Sequence, residues 1–470
     1  MYPVWEGLFV HSAMFVAIVA AFHVLVSHLT VAAAWFNVYL ERRAVRENRP
    51  ELYQYLKRSA LGLLVFAYVF GAMAGVGIWQ TTTAANPRGI STLIHNFVFF
   101  WGAEWYMFLI DVVGIIVYYY TFGRVDSKTH LRVAWLLAWG GTGTLVIIVG
   151  ILAFKLTPGM WLENGQSLSG FFNPTFWPQI FLRFAMMFVI TASWALMVAS
   201  GMPKDYFERE KIIRYGAVMG LIGLIAAGFI WTFWYYPALP QHAQTILRTP
   251  AIPSITYTVI YSGLIATFLG LLFAILVPKR QHQVIALGAM MTLFAVIFGA
   301  ERIREVMRKP DIIAGYMSSN QLVFTDIPTR GIQREEQQLN ENGMLGNLPF
   351  LPAKEAIQVP ISGDAAIQEQ EIARGRVLVI QQCASCHSVT DQTAINIAGQ
   401  ELRLRSIAQL FTERGRTTAV DIEEYLGRLH SFPYMHPVVG TTEEKAAMAR
   451  YLESFVQGTA PSQVEPQARR

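Results

Sequence analysis

The sequence predicts an all-α membrane protein: a bundle of about eight transmembrane helices with both termini outside, followed by a small helical domain. Three observations carry that prediction. Hydrophobic residues make up 53% of the 470 and charged residues only 15%, against about 25% charged in an ordinary soluble domain. Eight apolar runs are each of the length that crosses a bilayer, roughly 20 residues. After Glu301 the long apolar runs stop and the chain turns polar.

The runs lie at roughly 8–40, 60–80, 96–121, 132–154, 177–200, 214–236, 254–277 and 284–301. They are helices, because an open sheet would leave its edge groups unpaired in lipid. The 12 Trp, 19 Tyr and 30 Phe fit aromatic belts at the two interfaces. The first run is too long for a signal-peptide core and lacks a basic leader, so it is expected to stay as a helix.

Loop charge sets the orientation. The loops after the first, third, fifth and seventh runs hold Arg42, Arg43, Arg46, Arg49, Lys57 and Arg58; Arg124, Lys128 and Arg132; Lys204, Arg209, Lys211 and Arg214; and Lys279 and Arg280. The intervening loops hold Arg88, Lys155 and Arg248. Fifteen cations against three put the odd loops in the cytoplasm and both termini on the outer side. The Lys and Arg residues sit in short loops between apolar runs, so no nucleic-acid patch is expected.

Beyond the runs, residues 302–365 are polar and rich in Pro, Gly, Asn and Gln, which makes them a linker or irregular lobe. Residues 366–457 have the pattern of a small helical domain, and 458–470 that of a disordered tail. The two cysteines fall in this domain, as Cys383-Ala-Ser-Cys386-His387. Two cysteines three positions apart make no disulfide framework for a chain of this size. The spacing is the C-x-x-C-H attachment motif of c-type haem, in which the thiols bond the haem vinyl groups and the His ligates iron. A redox dithiol or a chance match are the alternatives. A helix at about 368–382 leads into the motif, and an amphipathic helix at 441–456 follows a loop bearing Met435. The region resembles a class I cytochrome c domain over roughly 90 residues. The resemblance implies Met435 as the second axial ligand; His436 or His430 are the alternatives. Covalent haem attachment takes place outside the bacterial cytoplasm, the side on which loop charge puts this domain.

Ionisable groups inside a spanning helix are costly and mark functional candidates. They are His11, His23 and His28 on the first run, Glu104 and Asp111 on the third, Arg183 on the fifth, and Glu301 at the end of the eighth, with Arg302 and Arg304 beyond. A membrane His either ligates haem or makes a helix-to-helix hydrogen bond, and arginines at the membrane edge pair with haem propionates. Glu104 and Asp111, seven residues apart on one helical face, suit a proton path.

These residues resemble subunit I of the cytochrome bd oxidases over about residues 8–310. The matching stretches are Ala21-Phe22-His23-Val24-Leu25, the small-residue run from Phe66 to Gly77, Gly102-Ala103-Glu104, and Gly299-Ala300-Glu301 with Arg304 and Arg308-Lys309-Pro310. The resemblance implies that His23, Glu104, Glu301 and Arg304 serve a pair of high-spin haems of b or d type, and that Asp111 stands within one residue of a proton-conducting Glu. It implies a second multi-span subunit as partner.

The departures are as informative. No His lies on the fifth run and no His or Met on the seventh, where that family holds a low-spin haem; Phe184, beside Arg183, falls where the His would be. The long quinol-binding loop is missing, with only about 17 residues (237–253) between the sixth and seventh runs. A cytochrome c domain stands in place of the ninth helix. The expected cofactors are one covalent haem c and two non-covalent haems, with electrons passing between them. The expected partners are the second subunit, a periplasmic electron carrier and membrane lipid. Two functions fit: a cytochrome c-linked reductase of O2 or a similar small molecule, with Glu104 and Asp111 carrying protons, or an electron-transfer subunit of a larger respiratory complex. His95 and His242, with His11, are expected at the outer ends of helices, as ligands or as helix caps. His28 lies about 140° round the helix from His23 and is expected to pack or to carry protons. His130 and His282 are expected in cytoplasmic loops and solvated.

Overall fold

The structure, a computed structural model, describes residues 12–249, 251–348, 364–387, 389, 396–397, 400–401, 406–432 and 434–458. It divides into two compact units. One comprises Ala17–Gln80 and Thr92–Arg308, and the other takes in Thr81–Ser91 and the chain from Lys309 onward.

The first unit is the helix bundle that the apolar runs predict. Among the described residues eight helices are long and apolar enough to cross a membrane: α1 (Ser12–Arg46), α2 (Leu52–Ala85), α3 (Val98–Thr121), α4 (Ser127–Ala153), α5 (Phe176–Ser200), α6 (Arg209–Ala238), α7 (Ser254–Leu276) and α8 (Gln283–Met307). The chain is therefore a multi-pass membrane protein. Large apolar side chains such as Phe229, Phe233, Tyr261 and Leu276 are exposed on the bundle, as expected of helices that meet lipid rather than water.

One boundary differs clearly from the sequence pattern. The apolar run at 60–80 is the middle of a longer helix, because Leu52, Tyr55, Leu56 and Ser59 form a buried face while Lys57 and Arg58 are exposed. An amphipathic extension of this kind leaves no apolar run to see. Within α2 the stretch Leu63–Val69 is a π-helix, and so is Trp231–Tyr235 near the end of α6. Such segments are frequent at functional sites.

Close packing uses small residues. Gly216, Gly220 and Gly223 of α6 face Ala195, Ala192 and Ala185 of α5, and a Cβ at any of the three would come within 2.9 Å of an α5 atom. This is the small-residue interface by which membrane helices approach closely.

The odd loops gather at one end of the bundle. Arg49 ion-pairs with Glu208, the Tyr206 hydroxyl donates to the Glu51 carbonyl at 2.9 Å, and Arg209 donates to the Gln281 carbonyl at 2.6 Å. His130 is here, and the expectation that it is solvated is wrong. It is 2% exposed, its Nδ1 is 2.6 Å from the Glu41 carboxylate, and its Nε2 is 3.1 Å from the Tyr118 carbonyl oxygen. Its partner stands 89 residues earlier, beyond any local pattern. His282 is exposed, as expected.

Among its described residues the second unit includes α9 (Asp364–Cys383), α10 (Ile407–Glu413), α11 (Ala419–Gly427) and α12 (Thr442–Val456), the short helix Glu336–Asn342, and two short hairpins. The first hairpin pairs β1 (Asp311–Ile313) with β2 (Met317–Ser318); the second pairs β3 (Asn396–Ile397) with β4 (Gln400–Glu401). α9 crosses α12 so closely that a Cβ on Gly375 would stand 2.0 Å from the Ala447 carbonyl oxygen. Within the polar stretch 302–365, the chain up to Leu348 supplies Leu322, Leu339, Met344 and Leu348 to the same hydrophobic cluster as Leu378, Val379, Met448 and Leu452. The Glu444 carboxylate accepts from the Met344 and Leu345 backbone N–H groups at 2.8–2.9 Å while completing the N-terminal capping box of α12. Arg88 forms a two-pronged ion pair with Glu335, both contacts 2.9 Å.

Candidate functional site

In the second unit, the end of α9 and the loop before α12 face one cavity. The His387 N–H donates to the Cys383 carbonyl at 2.8 Å, so the last helical turn runs on past α9 and stacks the two residues on one face. Cys383, His387 and Met435 all line the cavity. The rest of its wall is almost wholly apolar, with Ile407, Leu410, Phe411, Leu426 and Leu429 among the contributors. Among the described residues that line it, Arg414 is the one strong cation, lying 5.1 Å from the Tyr425 ring centre and 5.7 Å from that of Phe432. Counted with its mouth and the open space before it, the cavity takes in about 380 Å³.

The two thiols are not paired with each other. Burial, with Cys386 close by, pushes the Cys383 thiol up to about 12, the reverse of the lowered value that makes a redox dithiol reactive. Among the described residues no three His, Cys, Asp or Glu side chains converge to hold a metal ion. The donor set fits a covalently held haem: the Cys383 sulfur, the His387 imidazole and the Met435 thioether share the apolar cavity, and Cys386 stands three positions after Cys383.

The alternative ligands are placed elsewhere. His430 is exposed in the turn after α11. The Nε2–H of His436 donates to the Pro310 carbonyl, and its ring stacks on Phe324, with centres 5.7 Å apart and planes 3° from parallel. Burial lowers His436 to about 4, so its ring is neutral.

In the bundle, α1, α5, α6 and α8 bring together most of the candidate membrane residues. His23 has its Nδ1 3.1 Å from the Gly71 carbonyl oxygen. A carbonyl can only accept, so Nδ1 carries the proton and Nε2 is left with its lone pair. Gly75 makes room for the ring: a Cβ there would be 3.3 Å from His23 Cε1. His28 is buried and accepts through Nε2 from Arg183 at 3.0 Å. Glu301, 6% exposed, pairs with Arg304, and Glu305 pairs with Arg308. Arg183 is within electrostatic reach of Glu301, Arg304 and Tyr235, and His28 within reach of His23 and Arg304.

Three guanidinium groups thus face two carboxylates. The Nε atoms of Arg183, Arg304 and Arg308 are buried, with no hydrogen-bond partner among the described residues. Buried, unpartnered cationic donors are expensive, and they fit further carboxylates that a cofactor would bring.

The two acidic residues of α3 are not alike. Asp111 is buried and accepts a hydrogen bond from the Tyr68 hydroxyl of α2 at 2.8 Å. Glu104 is half-buried, and among the described residues no hydrogen bond or ion pair joins it to the cluster. His11 lies outside the described residues. His95 is exposed in the helix Pro87–Asn96. His242 sits in the helix Gln241–Ile246, its buried Nε2 without a hydrogen-bond partner among the described residues. The sequence reading missed Glu41, Tyr68, Tyr118, Tyr235 and Glu305, and it quoted Arg308 without giving it a role. Of the missed residues only Tyr118, seven residues past Asp111 on the same face, had a periodic signal that could have found it.

No family model and no curated protein matches the chain. Among solved structures, the bd oxidase from Geobacillus thermodenitrificans is similar, with a TM-score of 0.57 and 14% identity; the match covers 68% of this chain and 91% of that one. At that identity the likeness is one of fold, and the membrane bundle is built like that of a bd oxidase.

Proposed function

We propose that the chain is a membrane-bound respiratory electron-transfer cytochrome, in which electrons pass between a c-type haem in the second unit and non-covalent haems in the bd-oxidase-like bundle. The observation that carries this is the apolar cavity lined at once by Cys383, His387 and Met435. Cys383 and Cys386 attach the haem, His387 and Met435 ligate it, and Arg414 is the cation available to one propionate. In the bundle, His23 offers Nε2 to iron, Glu301 is the second ligand candidate, and Arg183, Arg304 and Arg308 offer unpartnered donors to propionates. The bound haem supplies one-electron redox chemistry; the chain holds it, orients it and keeps water from it. A bacterial inner-membrane location follows, with the haem c unit on the periplasmic side. A second multi-span subunit and a periplasmic electron carrier are the expected partners.

With high-spin haem in the bundle, the natural reaction is reduction of O2 or a similar small molecule, with Asp111 and Glu104 moving protons. The isolation of Glu104 favours a second reading, an electron-transfer subunit whose chemistry lies on another protein. Acid extraction and mass analysis of the purified chain test the common ground. One haem should stay bound to the peptide containing Cys383–His387, and about two should be extracted. Exposing the reduced protein to CO and O2 separates the two readings: a CO-shifted band and rapid reoxidation support the reductase, and six-coordinate haems inert to CO exclude it.

A further inference from the structure

The hairpin that opens the second unit touches both loops that carry the haem c ligands. Pro310 lies just before β1, and its carbonyl accepts from the Ser319 N–H at 2.9 Å and from the Nε2–H of His436. Phe324, six residues past β2, stacks on the His436 imidazole. On the attachment loop, the Lys309 ammonium donates to the Ser385 carbonyl at 3.4 Å and to the Ser319 hydroxyl at 3.1 Å. Ser385 lies between the two cysteines, and His436 is next to Met435. Met435 lines the cavity while His436 is turned to the hairpin.

We infer that residues 309–324 are a clamp that holds the methionine loop against the haem-attachment loop, and that His436 is a positioning residue keeping Met435 on the iron. This rests on the haem c assignment made above. A thioether is a weak ligand on a loop without regular secondary structure, and ordering such a loop costs conformational entropy at every residue. A loop already fixed by a part-buried hydrogen bond and a ring stack does not meet that cost again when the sulfur binds. Ligands from solution must then displace a thioether that has nowhere to go. Nothing in the clamp needs the imidazole to be charged; a neutral ring donating from Nε2 serves.

The test uses the purified full-length chain with variants H436A, H436Q, F324A and, as a reference, M435A. Three properties of the haem c are read: the long-wavelength sulfur-to-iron band of the oxidised form, the reduction potential, and the affinity for added imidazole. In H436A the band should be largely lost, the potential should fall, since methionine ligation raises it, and imidazole should bind at least about ten-fold tighter. H436Q, which keeps an N–H donor, should recover part of each property, and F324A should fall between. If H436A and F324A keep the wild-type band, potential and imidazole affinity while losing only thermal stability, the clamp is mere packing and the inference fails. If H436A does not fold, H436Q and F324A decide by the same criteria. A wild-type chain spectrally identical to M435A would instead overturn the ligand assignment itself.

Discussion

His23 shows how a single residue is prepared for a role. An imidazole can give iron only one nitrogen, and which one is set by what the other nitrogen bonds. Here the Gly71 carbonyl takes the Nδ1 proton at 3.1 Å, and the absence of a side chain at Gly75 leaves the ring its space. His28, five residues on, has its Nε2 occupied by Arg183 and is a poor ligand for that reason. His23→Ala should therefore lower the extractable haem by about one per haem c, whereas His28→Ala should leave the count unchanged. Haem extraction with quantitation reads both, and equal losses in the two variants would remove the distinction. How much of this was legible followed distance along the chain. The attachment motif is contiguous, and Met435 stands a fixed step before a recognisable helix. The partnership of Arg183 with His28 spans 155 residues and that of His130 with Glu41 spans 89. Pairs like these depend on which helices become neighbours, and that is a property of the folded bundle.

At the scale of elements, the same buried polar groups act as fastenings. Glu41 on α1 accepts from the Tyr118 hydroxyl on α3 at 2.8 Å and meets His130 on α4 at 2.6 Å. Glu41 is 0% and His130 2% exposed, so removing one partner leaves the others unpaired in a site closed to solvent. Glu41→Ala should cost about 3–5 kcal/mol, measured by reversible unfolding in mixed micelles, with Glu41→Gln costing less because the amide oxygen still accepts. A loss under about 1 kcal/mol for the alanine variant would mean that water enters the site. The hairpin of the second unit carries a pH-dependent fastening of opposite design. Burial raises Asp311 to about 6, although the Gly315 N–H donates to its carboxylate at 2.7 Å. Between roughly pH 4 and 6 the folded chain keeps a proton that the unfolded chain releases. The contribution of Asp311 to stability is thus complete below its ordinary value of 3.8 and is lost as pH rises through 6. Asp311→Asn removes that dependence. The melting temperature of the variant relative to wild type should be highest near pH 7, with the gap closing towards pH 4. A gap that does not change with pH would show that Asp311 titrates normally.

For the whole molecule, charge and fold make one argument about orientation. Helix length and hydropathy say that the chain crosses the membrane eight times but are blind to direction. The orientation proposed above rests on the cations, because fifteen of the eighteen loop Lys and Arg residues counted among the spans lie in odd loops. The fold adds that several of these residues are engaged where the odd loops gather. Arg43 and Lys211 lie 5.0 and 4.6 Å from the ring centres of Tyr215 and Phe207, and Arg49 pairs with Glu208. Arg209 is 5% exposed. Fixed partners of this kind do not cancel the signal, since orientation is decided during insertion, before the loops have met. Arg88 is instructive on the other side: a lone cation in an even loop, it is held by Glu335 through two contacts of 2.9 Å, so its presence there has a structural cause. A reporter enzyme active only in the periplasm should therefore be active when fused after Arg248 or at the C-terminus, and inactive when fused after Lys204 or Lys279. Adding four lysines to the loop 237–253 should weaken that pattern without altering the fold. Activity after Lys279 together with inactivity at the C-terminus would invert the topology. It would put Cys383 and Cys386 on the side where haem is not attached to cysteine pairs, and the haem c assignment would fall with it.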